Sequence, residues 1–192
     1  MNAVLRAPAI LADPAAEWVK IAKERGNTAH LFTGYVALLA LVPAVFGFIG
    51  ACVVGEVLPH AGLVRAPLLT GLGAAVFDYV TTCASVLVLG LLIDMLAPMF
   101  DGRRNFASAF KLAVFSYTPV WLSGIFLLAP GLRFLGLLSF YGAYMLWLGM
   151  PPIMKSPPQR ALPYCTAIVG CACVLAFSSA AARHALFGSA AL

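Results

Sequence analysis

The chain has 192 residues, of which 62% are hydrophobic and only 10% charged, and its mean hydropathy is +0.97. Soluble domains carry about 25% charged residues, and a soluble core of this length cannot hide so much apolar surface, which excludes a water-soluble globular domain. The net charge of +5 comes from basic residues scattered through loops rather than a stripe interleaved with aromatics, so it reads as a topology signal and excludes a nucleic-acid surface.

Met1 to Ala12 holds an apolar run broken by Arg6 and Pro8. It is too short for a signal peptide and lacks a cleavage site. Asp13 to Gly26 predicts a short amphipathic helix, with Asp13 as its cap, Pro14 in its first turn and Gly26 at its end. Trp18, Ile21 and Ala22 share one face, opposite Glu17, Lys20, Lys23 and Glu24. The pattern predicts a helix lying in the headgroup plane, with Trp18 buried in lipid and the lysines toward anionic headgroups.

Five apolar segments follow, at about 31–54, 68–97, 106–129, 133–150 and 162–182. Each is long enough to cross a hydrocarbon core of about 30 Å. The expected fold is an all-α polytopic bundle of five transmembrane helices (31–192) behind an N-terminal cytoplasmic or interfacial segment (1–30). Pro43 and Pro119 fall inside spans one and three and predict kinks. Gly47 and Gly50 permit close contact in span one, and Ala172, Ala176 and Ala180 give span five a small-residue face suited to tight packing or a homodimer. Between spans one and two, His60 reads as a solvated loop residue. Pro98 ends span two, Asn105 caps span three, and Pro151-Pro152 with Pro157-Pro158 brackets a stiff loop carrying Lys155 and Arg160.

If the N-terminus is cytoplasmic, nine basic residues lie inside (Arg6, Lys20, Lys23, Arg25, Arg103, Arg104, Lys111, Lys155, Arg160) and three outside (Arg65, Arg133, Arg183). The positive-inside rule therefore predicts N-terminus in and C-terminus out.

The order of several short motifs resembles the bacterial branch of the Yip family, the Ypt/Rab-interacting integral membrane proteins. They begin with Pro14-x3-Trp18-x2-Ile21, then Tyr35 and Pro43-x3-Gly47-x2-Gly50, then Leu96-Ala97-Pro98-x-Phe100-x-Gly102. Asn105-x3-Ala109-x-Lys111-Leu112 leads to Ser116-Tyr117-Thr118-Pro119. The resemblance implies five spans, a cytoplasmic N-terminus and a bacterial inner membrane. It also implies a non-enzymatic role in organising membrane proteins or lipids, with the bilayer and other membrane proteins as partners. The acidic-Leu-Tyr-Gly-Pro motif of the eukaryotic members is absent, so Rab binding is not carried over.

A buried carboxylate costs about 2.5–3.5 kcal/mol at mid-bilayer on insertion scales, so intramembrane acids need partners or a purpose. Asp94 and Lys111 lie near the inner ends of spans two and three, and their geometry predicts an ion pair stapling that hairpin. Asp78 is either interfacial, satisfied by water or Arg133, or at the midplane beside Tyr117 and Thr118 in a polar pathway. Pro119 frees a carbonyl near Phe115, which Ser116 and Thr118 help to satisfy. Trp18, Arg103 and Arg104 are the candidates for a cytoplasmic interaction face.

No Gly-x-Ser-x-Gly elbow, His-Glu-x-x-His helix or phosphate-cradling glycine loop is present. The five cysteines read as small packing residues with no metal-ligand spacing. No cofactor, metal or catalytic residue is expected. The second function class is a small permease or lipid-moving protein using Asp78 and Asp94.

Overall fold

A computed structural model describes residues 6–24, 27–58 and 62–188. His60 and Gly26 lie outside the described residues, as do Arg25 and the side chain of Arg133. Two short helices, α1 (Arg6–Ala12) and α2 (Pro14–Lys23), precede five helices long and apolar enough to cross a membrane. These are α3 (Thr28–Val54), α4 (Leu68–Phe100), α5 (Phe106–Leu128), α6 (Phe134–Met154) and α7 (Pro158–Phe187). The protein is an all-α polytopic bundle. A three-residue hairpin, β1 (Glu56–Leu58) and β2 (Gly62–Val64), joins α3 to α4 where the sequence reads as plain loop. We call the end carrying α1 and α2 the N-side and the opposite end the C-side.

The local chemistry explains the boundaries. Asp13 accepts a hydrogen bond from the Ala16 amide at 3.1 Å and Pro14 opens α2. Asn27 and Asn105 cap α3 and α5 in the same way, through the Ala29 and Ser108 amides. Pro98 does not end α4. The helix narrows to a 3-10 turn over Ala97–Phe100 and stops at Asp101, whose φ is +56°. Pro151 and Pro152 also fall within helix, in the last turn of α6, which runs on to Met154. There only the carbonyls of Trp147 and Leu148 lose their partners, and proline's fixed φ suits the helix. α7 begins at Pro158, before the expected Leu162.

Two of the spans are irregular. α3 contains two π-helical turns, Phe32–Val36 and Gly50–Val54, and loses regularity at Ala40 ahead of Pro43. α5 breaks at Tyr117 and restarts at Thr118-Pro119. The two kinked helices meet closely, because a Cβ on Gly124 would lie 2.6 Å from the Cα of Pro43.

The dense core sits toward the N-side. Half of the most apolar window of α5 is buried within the protein, against 11% for α7, so α5 is central and α7 peripheral. Trp18 is fully buried. It lies edge-on to Phe115, with ring centroids 6.4 Å apart, and fills a notch at Gly149, where a Cβ would stand 2.8 Å from its Cε2 and would clash with Leu112. This corrects the expectation of a lipid-exposed Trp18. The apolar face of α2 packs on α6 and α5, and protein rather than lipid covers it.

Trp18→Ala empties that notch. It is expected to cost about 3–5 kcal/mol, the range for buried aromatic truncation, as a lower melting temperature in detergent and faster proteolysis between α2 and α3. An unchanged melt would contradict the docking of α2.

Candidate functional site

On the N-side, one polar cluster ties α1 and α2 to the bundle. The Arg6 guanidinium donates two hydrogen bonds to the Glu24 carboxylate, at 2.6 and 2.5 Å, and lies 3.6 Å from Glu17. Lys20 donates to Glu17 at 2.6 Å. Arg6 and Glu17 are almost fully buried, so their charges depend on these partners. The bidentate contact with Glu24 raises the Arg6 pKa above its ordinary value and holds that of Glu24 below its own. Lys111 reaches out of α5 to the backbone carbonyl of Glu24, at 2.5 Å.

The expected Asp94–Lys111 pair therefore does not form. α2 docks over Lys111 and offers an acceptor nearer than Asp94. Asp94 instead faces Arg104, 3.5 Å away, and its other oxygen is buried without a partner among the described residues. Arg104 belongs to the loop after α4, and that loop is clasped to the one after α6. The Arg103 amide donates to Met154 O at 2.8 Å, Ser156 donates to Phe100 O at 3.0 Å, and Arg160 lies 3.3 Å from Asp101. Phe100 stacks on Tyr164, whose hydroxyl donates to the Ile93 carbonyl. The Arg103 side chain is exposed, as is that of Lys155 beside Met154.

The C-side half is looser. α4 and α7 run antiparallel, with two cavities along their crease. The inner cavity, about 110 Å³, is lined by Thr81, Thr82, Ser85, Tyr117 and Ser179 with apolar neighbours. It is polar enough and large enough for about three or four waters at roughly 30 Å³ each. The outer cavity, about 660 Å³, lies between α3, α4 and α7 and includes Gly50, Gly71, Ala75, Asp78, Arg183 and His184 in its wall. Asp78 accepts from Arg183 Nε at 3.0 Å. Arg183 was not foreseen as a partner of Asp78, and the side chain of Arg133 lies outside the described residues.

Tyr117 thus joins the same crease as Asp78, whereas Asp94 and Lys111 belong to the N-side. Thr118 repairs no carbonyl at the kink. Its hydroxyl pairs with Tyr35 at 2.8 Å, and the buried Ser116 hydroxyl has no partner among the described residues. Pro119 is buried at the restart of α5. Ala172, Ala176 and Ala180 line the two cavities rather than a tightly packed seam.

The sequence profile of the Yip1 domain matches residues 9–180, nearly the whole chain. The chain belongs to the Yip1-domain family. Among curated Yip1-like relatives, Inner membrane protein YohC of Escherichia coli (strain K12) is 28% identical over 159 residues, covering 81% of this chain and 82% of its own. YohC of Escherichia coli O6:H1 (strain CFT073) matches with the same identity and coverage. No solved structure matches the chain. The Yip1 match begins inside α1 and ends inside α7, so it takes in α2, the first four spans and most of the fifth.

Sequence reasoning missed Arg6, Glu24 and Arg183. Arg183 was legible only as the outer end of a span. Lys111's acceptor is a backbone carbonyl, which no residue pattern announces.

Two predictions follow from this geometry. Because the Glu24 pKa is depressed, its stabilisation of the α1–α2 arrangement is fully present above the ordinary value of 4.5. It is lost as pH falls through the lower folded value. Protease protection of α2 should fall in that acid window, and Glu24→Gln should flatten the dependence. Protection that is unchanged by acid in the parent protein would contradict the Arg6–Glu24 contact. Separately, Asp94→Asn and Lys111→Met should add in stability within about 0.5 kcal/mol, as for uncoupled sites. A double variant that recovers stability would instead place the two side chains in contact.

Proposed function

We propose that this Yip1-domain protein is a non-enzymatic organiser of membrane proteins or lipids in a bacterial inner membrane. Its N-side faces the cytoplasm and its C-side the exterior. The location is taken from the YohC relatives, which are named inner membrane proteins. The orientation rests on the excess of basic residues at the N-side.

The observation that carries this reading is the built N-side platform. α2 is docked by Trp18, the loops after α4 and α6 are clasped together, and each of those loops carries an exposed cation, Arg103 on one and Lys155 on the other. A built surface presenting cations that have no partner among the described residues suits a partner with an acidic segment, or anionic headgroups, at the membrane surface. Trp18 supports the platform from within, and Arg103 and Arg104 lie at its edge.

A second reading, a small permease or lipid-moving protein, draws support from the cavities beside Asp78 and Tyr117. Proteoliposomes distinguish the two readings. The organising role predicts neither solute flux nor lipid scrambling above empty vesicles. Flux that is lost in Asp78→Asn would establish the second reading.

The platform itself is tested with single cysteines in a cysteine-free background. A membrane-impermeant thiol reagent applied to intact spheroplasts should spare a cysteine at Lys155 and label one at Gly188. The reverse pattern would overturn the orientation. A photo-crosslinker at Arg103 should yield defined adducts to membrane proteins or anionic lipid, reduced several-fold by Lys155→Glu. Adducts indifferent to that charge would contradict the platform's role.

A further inference from the structure

The outer cavity, with the Asp78–Arg183 pair in its wall, plays no part in the N-side platform. Its wall sets the small residues Gly47, Ala74, Ala75 and Ala180 among Phe48, Leu127 and Phe187, while Gly50 and Gly71 are held small by close contact with Leu127 and Cys52. At about 660 Å³ it lies within the range of ligand sites, about 300–1,000 Å³. Into this apolar hollow project one anion and one cation, Asp78 and Arg183, both partly exposed. Arg183 spends its Nε on Asp78, and among the described residues its two terminal nitrogens have no partner. Val53, Leu72 and Val76, which neighbour the lining residues on α3 and α4, are exposed apolar side chains, so a bilayer covers this face.

From this juxtaposition we propose that the outer cavity is a binding site for a zwitterionic phospholipid whose headgroup carries a phosphate beside a protonated amine. The free guanidinium edge of Arg183 takes the phosphate through two parallel N–H donors. The ammonium turns to Asp78, and the small-residue walls accommodate the glycerol and upper acyl chain. The site is dipolar rather than simply basic. A headgroup that brings both signs keeps both protein charges paired inside an apolar setting, whereas a purely anionic headgroup leaves Asp78 facing negative charge. The hydroxyl residues Thr82 and Ser85, on the next turns of α4, line the inner cavity further along the same crease. His184 stands on the rim beside Arg183 and adds a further donor on the phosphate side.

The test is native mass spectrometry of the purified full chain, delipidated in detergent and titrated with phosphatidylethanolamine or phosphatidylglycerol of matched chains. One phosphatidylethanolamine per protein is expected to bind about tenfold more tightly than phosphatidylglycerol. Asp78→Asn should erase that preference. Ala75→Phe, which leaves the ion pair alone and fills the hollow, should weaken both lipids about tenfold. The melting temperature of each variant is compared with the parent, so that a fold defect is separated from a binding defect. Equal binding of the two lipids, or phosphatidylethanolamine binding indifferent to Ala75→Phe, would overturn the proposal. So would full competition by soluble phosphoethanolamine, which would mark a site for a small solute instead of a lipid.

Discussion

The N-side architecture depends on one aromatic contact. The indole of Trp18 occupies the notch that Gly149 leaves between α5 and α6. With α2 held there, its C-cap brings the Glu24 carbonyl over Lys111, and the Glu24 carboxylate within reach of Arg6. A lysine less than two turns inside a membrane helix thereby gains a protein acceptor, and the buried Arg6 and Glu17 gain partners. Without the docked indole these charged groups would face apolar surroundings singly, which is the costly arrangement. Apolar docking and polar satisfaction are therefore a single construction.

Packing density then divides the molecule. Toward the N-side, α5 is enclosed by α2, α4 and α6, and the loops at that end are cross-linked by backbone and side-chain hydrogen bonds. Beyond the break at Tyr117, α5 restarts as α-helix and tightens to a 3-10 helix from Gly124, and α7 meets α4 at the C-side through Asp78–Arg183 and Phe77–Phe187 with two cavities along the crease. Pro119 lies in the first turn where α5 restarts, and Pro43 follows the irregularity at Ala40 and sits against Gly124. The proposed division of labour follows from the same asymmetry, with a built surface for partners at one end and a hollow, lipid-facing site at the other.

Much of the fold was legible in the sequence because the membrane imposes strong rules. Apolar length announces each span, Asp13 and Asn105 announce helix starts, and Pro43 and Pro119 announce irregularity. Trp18 was misread because an amphipathic helix has the same pattern whether lipid or protein covers its apolar face, and only Gly149, some 130 positions away, decides between them. Depth and side-chain lean place Asp94 and Lys111 within reach of each other, but Lys111's acceptor is a backbone carbonyl of α2's end, which those rules do not register. Pro151 and Pro152 looked like loop because proline disrupts helix interiors, but in a last turn it breaks few bonds. The Asp78–Arg183 contact depended on the antiparallel register of α4 against α7, which neither segment specifies by itself.

The central claim is that protein, not lipid, covers Trp18. It is tested most directly by fluorescence of a Trp121→Phe/Trp147→Phe variant in bilayers, where Trp18 is the sole tryptophan. Phospholipids carrying nitroxide at headgroup depth and aqueous acrylamide are both added as quenchers. The structure predicts that neither quenches appreciably and that emission is blue-shifted. Strong quenching by the headgroup nitroxide would place α2 in the lipid interface, and the docked platform would be wrong.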